Sequence, residues 1–479
     1  MTEGTKRKAA IVGGGVIGGG WAARFLLNGW DVAVFDPDPD AERKIGEVLA
    51  NARRSLPALY DRALPDEGTL SFQTDLRDAI ADADWIQESI PERLDLKHKV
   101  LAAIGADASF EAVIGSSTSG FKPSDLNSEG ARAIVAHPFN PVYLLPLVEL
   151  VGDRPTCDKA ADILRSIGMF PLTLRKEIDA HIADRLLEAV WRESLWLVKD
   201  GVATTEEIDE AIRMGFGIRW AQMGLFETYR IAGGEAGMKH FMAQFGPALS
   251  WPWTKLMDVP EFTDDLVELI AGQSDDQSGH MSIRALERLR DDNIVGMVRA
   301  LRRTGSGAGG VVGAHEASLP TGSELHGLPV TATRQVPASW TDYNGHMNET
   351  HYLETASQAT DRFMEMIGAD AGYVKSGRSY FTVETHVRYL GEVLAGDRLV
   401  VTTQVMSGAG KRMHLFHRLW RDGETLAATV ETMLIHMDLG SRKSSLPEPA
   451  VADALERFAT RHDGMAAEGS GRAVGQPAG

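Results

Sequence analysis

Apolar and polar positions follow two different periods along this chain. Residues 8–12, 30–36, 83–90, 113–116, 133–136 and 148–151 are short, almost continuous apolar runs, with helix-period stretches between them, the first at 21–28 after a cluster of glycines. Such runs suit strands buried on both faces, so the order strand, turn, helix, strand predicts a doubly wound parallel α/β sheet within residues 1–185. From Ala180 onward the period lengthens. Apolar residues repeat at helical spacing in 182–199, and Thr204 with Glu207 spells a capping box opening the next helix, so residues 186–303 are expected to be all-α.

Residues 304–324 change character: Gly305, Gly307, Gly309 and Gly310 with Ser and Ala bury too little apolar surface to order themselves, and a flexible linker is expected. Beyond it, β-rich runs at 328–336, 380–389, 398–407, 414–421 and 424–437 accompany one helical stretch at 351–367. They predict an α+β domain over 325–440, an antiparallel sheet with one long helix. Residues 441–479 read as a flexible tail with a short helix near 450–460. A flexible tether implies that fragments ending near Arg303 and starting near Glu324 would each work alone.

Length allows about three domains for 479 residues. With 49 Lys+Arg against 67 Asp+Glu the net charge is −18, which repels nucleic-acid phosphates and anionic membranes, and no basic patch offsets it. Neither is an expected partner. Cys157 is the single cysteine, excluding an intrachain disulfide and a thiolate cluster, and no metal is expected. The start lacks the apolar core of a signal peptide and no apolar run reaches about 18 residues, so a cytoplasmic location is expected.

The strongest chemical signal is Gly13-x-Gly15-x-x-Gly18, which follows a strand and opens a helix. The first glycine permits the turn, the second lets backbone N–H groups approach a pyrophosphate, and the third lets helix pack on strand. Gly13, Gly15, Val16, Ile17 and Gly18 are the expected contacts to a dinucleotide. Asp36 ends the next strand, where a carboxylate binds ribose hydroxyls and repels a 2′-phosphate, so NAD rather than NADP is expected.

Gln87-Glu88-Ser89-Ile90-Pro91-Glu92, Lys97, Ser116-Ser117-Thr118-Ser119, His137-Pro138-Phe139-Asn140-Pro141 and Leu147-Val148-Glu149-Leu150 resemble, in order and spacing, the 3-hydroxyacyl-CoA dehydrogenase superfamily. The resemblance covers nearly all of residues 8–300. It implies a Rossmann domain followed by a helical substrate and dimerisation domain, with His137 as general base, Glu149 orienting it and Ser119 bonding the substrate oxygen. Glu92 and Lys97 are expected beside the cofactor. A base held in one tautomer by a carboxylate suits removal of a hydroxyl proton during hydride transfer. Asn140 is either a substrate contact or a turn former. Where the family carries asparagine in an I-x-N-R-L segment, this chain has Ile182-Ala183-Asp184-Arg185-Leu186. Asp184 either brings negative charge to the substrate or serves as a helix cap or a partner of Arg185.

Residues 41–70 are mixed in charge and lack a Lys-rich excursion suited to CoA. Ala189-Val190-Trp191-Arg192-Glu193 and Gly215-Phe216-Gly217-Ile218-Arg219-Trp220 resemble the branch that holds lambda-crystallin, L-gulonate 3-dehydrogenase and L-carnitine 3-dehydrogenase. That likeness implies oxidation of L-carnitine to 3-dehydrocarnitine. A trimethylammonium is bound by aromatic faces and carboxylates, making Trp191 and Trp220 candidates, with Trp196, Phe216, Phe226 and Tyr229 in the same region; aromatics at helical spacing also build cores. A 3-hydroxyacyl-CoA or 3-hydroxybutyryl-CoA dehydrogenase, an L-gulonate 3-dehydrogenase and a crystallin-like NAD-binding protein without turnover stay open.

In the last domain Trp340-Thr341-Asp342-Tyr343-Asn344-Gly345-His346-Met347-Asn348 precedes the helix, and residues 328–438 resemble hotdog-fold acyl-CoA thioesterases. Asp342 is implied to activate water or attack the thioester carbonyl, with His346 and Asn348 shaping the loop. A non-catalytic dimerisation module is the other reading. The two resemblances together imply a bifunctional enzyme whose C-terminal domain hydrolyses betainyl-CoA, an acyl-CoA thioester, to betaine and CoA, and a homodimer is expected.

Overall fold

The structure is a computed structural model describing residues 6–127, 130–232, 241–243, 254, 261, 263–278, 280–319, 323–337 and 340–471. The chain divides into two compact units: Met1–Arg53 with Asp66–His315, and Arg54–Pro65 with Glu316–Gly479.

The first unit is built on an eight-stranded sheet: β1 (Lys8–Val12), β2 (Asp31–Phe35), β3 (Leu70–Gln73), β4 (Trp85–Glu88), β5 (Val113–Ser116), β6 (Ile134–Pro138), β7 (Leu147–Val151) and β8 (Phe170–Thr173). Their order is β3-β2-β1-β4-β5-β6-β7-β8. The first six pair in parallel, and their apolar runs are buried on both faces, as at Ala9, Ala10 and Ile11. The sheet departs from the expectation in two places. β7 runs antiparallel to β6, and β8 follows β7 where the sheet was expected to end. Only eight residues separate β6 from β7, too few for the helical crossover a parallel pair needs.

The helical part follows at Ala183–Lys199, Thr205–Ala211, Gly217–Ala232, Asp264–Ser278 and Ile283–Thr304. The capping box forms: Thr204 Oγ1 accepts from Glu207 N–H at 3.2 Å and Glu207 Oε2 from Thr204 N–H at 2.9 Å. Within 304–324, expected as a flexible linker, a helix spans Gly307–Ser318. Close packing explains it. A Cβ on Gly309 would lie 2.2 Å from the Arg302 backbone nitrogen, so this glycine allows two consecutive helices to meet, and Val312 and His315 are buried.

In the second unit β9 (Glu324–Leu325), β10 (Leu328–Gln335), β11 (Arg378–Tyr389), β12 (Arg398–Ser407), β13 (Arg412–Arg421), β14 (Thr425–Asp438) and β15 (Lys443–Ser444) form an antiparallel sheet ordered β11-β14-β13-β12-β10-β9, with β15 on β14. Helix Glu349–Met366 lays Tyr352, Ala356 and Ala359 into a core with Val401, Leu419 and Val430. This is the hotdog arrangement. Within 441–479 a helix forms at Pro449–Arg461 and buries Val451 and Leu455. Among the described residues no helix is long and apolar enough to cross a membrane.

One buried polar chain links the hotdog helix to its sheet: His417 Nε2 meets Thr360 Oγ1 and Nδ1 meets Thr403 Oγ1, both at 2.9 Å. Burial pushes the His417 pKa down to about 3. The unfolded chain takes up this proton near pH 6.5 and the folded chain only near 3, so the associated stability is present above 6.5 and is lost as pH falls from 6.5 toward 3. Thermal melting of the second unit should therefore shift downward across that window. A His417→Gln variant should show a shallower pH dependence, and an unchanged slope would remove His417 as the cause.

Candidate active site

The glycine turn leads from β1 into helix Val16–Leu26, whose N-cap, Gly15, offers no side-chain bond. The first helical N–H groups therefore face the cleft, where a helix end attracts anions. Gly18 is needed for packing, since a Cβ there would overlap the Gly13 carbonyl oxygen at 1.8 Å. At Gly15 an added Cβ would meet nothing within 4 Å, which leaves the open space a pyrophosphate requires. Gly13, Gly14, Gly15 and Asp36 line one cleft of about 750 Å³ together with Ser89, Ile90 and Pro91. Asp36 accepts the N–H groups of Gly14 and, at 2.7 Å, Asp38. Each carboxylate oxygen retains a second lone pair for a ribose hydroxyl, so these residues fit NAD.

Lys97 and Glu92, expected beside the cofactor, belong to a charge network. Lys97 is 1 % exposed, with its ammonium 2.9 Å from Glu88 Oε1 and 3.2 Å from Glu92 Oε2. Glu92 Oε1 in turn accepts from the Thr118 hydroxyl and from the N–H groups of Ser119 (3.1 Å) and Gly120 (3.2 Å). The three charges pin the loop after β5, and Ser119 stands exposed on it.

The antiparallel register of β6 and β7 sets His137 directly opposite Glu149. His137 Nδ1 lies 3.2 Å from Glu149 Oε2, while Oε1 accepts the N–H groups of Ile182 (2.9 Å) and Ala183 (3.0 Å) at the start of helix Ala183–Lys199. Burial pushes the Glu149 pKa up, but bonds from His137, Ala183 and Ile182 outweigh it and hold the carboxyl below its ordinary value. The other ring nitrogen, Nε2, lies 3.4 Å from Asp184 Oδ2. Asp184 therefore reaches the histidine; it makes no described ion pair with Arg185. His137 and Glu149 are buried with Asp184 half-buried beside them, a cluster able to take a proton.

His181 was not singled out from sequence. It is buried with its ring centre 5.5 Å from that of His137, and its Nε2 meets the Thr118 carbonyl at 3.2 Å, joining the Ser119 loop to the cluster. Burial lowers its pKa. Its one visible signal was its place beside the Ile182–Leu186 motif. Asn140 is exposed at the turn after β6. The aromatic candidates do not converge among the described residues: Trp191 is 52 % exposed and Trp220 37 % exposed, and the ring contact of Trp220 is with Phe216 at 4.5 Å. Lys199 covers Trp196, and Tyr229 stacks on Phe241. Phe226 is exposed. Cys157 is buried with its thiol pushed up to about 11 by that burial, which makes it a poor nucleophile.

In the second unit Asp342 sits in the loop before helix Glu349–Met366. Its Oδ1 accepts from the N–H groups of Asn344 (2.8 Å) and His346 (3.2 Å), and it is half-buried. Burial acts to raise its pKa, but these backbone bonds prevail and lower it, so it is a carboxylate at neutral pH. Asn348 caps the helix by accepting Thr350 N–H at 3.1 Å, and His346 lies 3.5 Å from Glu392.

A dinucleotide cleft on a Rossmann sheet, with a carboxylate-held histidine at the strand ends, defines an NAD-dependent dehydrogenase of hydroxy compounds, here carrying a hotdog unit. Comparison with known proteins narrows the class. Residues 8–178 match the 3-hydroxyacyl-CoA dehydrogenase NAD binding domain, 181–262 match the C-terminal domain of the same family, and 336–455 match the thioesterase-like superfamily. An L-carnitine dehydrogenase/betainyl-CoA thioesterase of Ruegeria pomeroyi is 63 % identical over 98 % of this chain and 99 % of its own. One of the same description from Agrobacterium fabrum is 54 % identical over 98 % of both chains. The structure of 5-formyl-3-hydroxy-2-methylpyridine 4-carboxylic acid 5-dehydrogenase, an NAD+-dependent dismutase, is similar with a TM-score of 0.52 at 26 % identity, over 62 % of this chain and 99 % of that one. This chain belongs to the 3-hydroxyacyl-CoA dehydrogenase family, among the members that carry a C-terminal thioesterase-like domain.

Cofactor choice should rest on Asp36. Replacing Asp36 with Ser and Pro37 with Arg should raise kcat/KM for NADP relative to NAD, measured as reduced cofactor formed. A wild-type preference for NADP would overturn the assignment.

Proposed function

We propose that this protein oxidises L-carnitine to 3-dehydrocarnitine with NAD and hydrolyses betainyl-CoA to betaine and CoA in its C-terminal unit. The observation that carries the first part is Asp184 at 3.4 Å from Nε2 of His137. In carnitine the trimethylammonium is two bonds from the carbinol carbon, so a hydroxyl set against Nε2 brings the cation to the neighbouring carboxylate. Such a contact attracts a cationic substrate and repels an anionic one at the same place. L-gulonate and 3-hydroxybutyrate have no cation to put there.

His137 Nε2 receives the hydroxyl proton as the carbinol hydride departs, and Glu149 holds Nδ1–H and supports the charge that forms on the ring. Bound NAD supplies the hydride acceptor. Ser119, on the loop tied to Glu92, donates to the substrate oxygen, with Asn140 at the rim. In the second unit Asp342 activates water at the thioester carbonyl. Its carboxylate state and its fixed loop support that role.

The protein works as a homodimer in the cytoplasm. Support comes from apolar side chains that helix Ala183–Lys199 leaves in solvent, Leu186, Leu187 and Trp191, and from the edge strand β11, which exposes Phe381 and Val383.

A panel of L-carnitine, D-carnitine, L-gulonate, 3-hydroxybutyrate and 3-hydroxybutyryl-CoA, read by NAD reduction, tests the dehydrogenase. L-carnitine should lead. Asp184→Asn should raise its KM by about tenfold or more, the scale of one desolvated charge contact, without favouring the CoA ester. Glu149→Gln should lower kcat strongly while NAD still binds. Equal rates with 3-hydroxybutyrate would reject the charge argument. For the second unit, Asp342→Ala should abolish thiol release from betainyl-CoA and leave carnitine oxidation intact; unchanged release would move the chemistry to another residue.

A further inference from the structure

The second unit contains a segment from far earlier in the sequence, Arg54–Pro65, and its chemistry is not explained by either reaction. Leu56, Leu59 and Tyr60 are fully buried. The Asp61 carbonyl accepts Thr333 N–H of β10 at 3.1 Å. Glu316 accepts the backbone N–H groups of Asp61 and, at 2.9 Å, of Arg62, whose guanidinium reaches Glu365 of helix Glu349–Met366 at 2.8 Å. A solvent-exposed loop would not need this set of bonds.

The Asp61 side chain is the informative member. Its Oδ1 lies 2.6 Å from Arg334 Nη2, and Arg334 is only 2 % exposed. A guanidinium so deeply buried must be paired, because an uncompensated charge out of water is strongly unfavourable. Arg334 lies over the Trp340 ring, 4.9 Å from its centre, and Trp340 stacks face to face on His351 with centroids 4.5 Å apart. Trp340 also closes the Asp342 loop, since its carbonyl accepts Asn348 N–H at 2.8 Å while Thr341 bridges to Met347. Asp61, Arg334 and Trp340 thus form a continuous stack under the loop that holds Asp342.

We infer that Arg54–Pro65 is a working part of the thioesterase, with Asp61 a positioning residue that sets the Asp342 loop through Arg334 and Trp340. The inference rests on the thioesterase reading of that loop. A fragment beginning at Glu324 lacks Asp61, Arg62 and Glu316, so the separability expected from a flexible tether fails: hydrolysis needs the N-terminal part of the chain.

The test uses the full chain and measures betainyl-CoA hydrolysis and carnitine oxidation in the same preparation. Asp61→Ala should lower kcat for hydrolysis by about tenfold or more, as misplacement of a catalytic group does, with KM and carnitine oxidation unchanged. Asp61→Glu should restore most of it. Removing both charges, Asp61→Asn with Arg334→Met, should recover the melting temperature while hydrolysis stays low. Recovery of both together, or a normal kcat in Asp61→Ala, would overturn the inference. A second readout does not need turnover: the His351 ring proton, shifted by Trp340, should move in Asp61→Ala by NMR, and an unmoved signal would also overturn it. If the unaltered protein releases no thiol, the thioesterase reading fails, and the NMR result still decides whether Asp61 sets the stack.

Discussion

The Glu149 carboxylate is the contact on which the arrangement of the first unit's candidate site depends. It stands on β7, faces His137 on β6 by register, and accepts the two N–H groups that open helix Ala183–Lys199. One side chain thus satisfies a helix start, fixes a ring and anchors the helical region to the sheet. The backbone just before the helix is strained, with Ala180 and His181 at φ of 56° and 50°. Two residues with side chains hold left-handed conformations only where their surroundings fix them, and the Glu149 bonds with the His181–Thr118 bond do so here.

A charge network, rather than apolar packing, holds the loop after β5. Glu88 and Lys97 are both buried, and Glu92 joins them from the surface while holding the N–H groups of Ser119 and Gly120. A buried pair such as Glu88–Lys97 contributes little net stability after desolvation, but breaking it leaves an unpaired ion, so the network specifies one loop position. Glu92 and Lys97 thereby fix the loop bearing Ser119.

Much of this was legible in the sequence because local pattern and chemistry coincide there. Continuous apolar runs gave the inner strands, the glycine turn and Asp36 gave the dinucleotide cleft, and the spacing of His137 and Glu149 fitted a known pairing. The reversal of β7 was readable in principle from the short connection after β6, a matter of reach rather than composition. The helix Gly307–Ser318 was not readable, since its glycines look like flexibility in sequence and act as close contacts in space. Nor was the stack from Asp61 to Trp340. Asp61 lies hundreds of positions before Arg334 and Trp340, and no periodicity marks an acidic residue as the partner of a distant buried arginine.

Asp184 is where family likeness and physical chemistry separate. An asparagine at this point could donate and accept, and would suit a neutral carbonyl or amide nearby. A carboxylate beside Nε2 does something else: it lends the base a second negative neighbour and favours a positively charged group placed next to it. Aromatic faces are not needed to state that preference, and Trp191 stands two helical turns from Asp184, about 10 Å along the axis, further than a small substrate's cation lies from its hydroxyl. The proposed reading therefore places recognition of the cation beside the base rather than along the helix. On that proposal the residue that selects the substrate touches the residue that reacts with it, and a change at Asp184 would alter binding and proton transfer together.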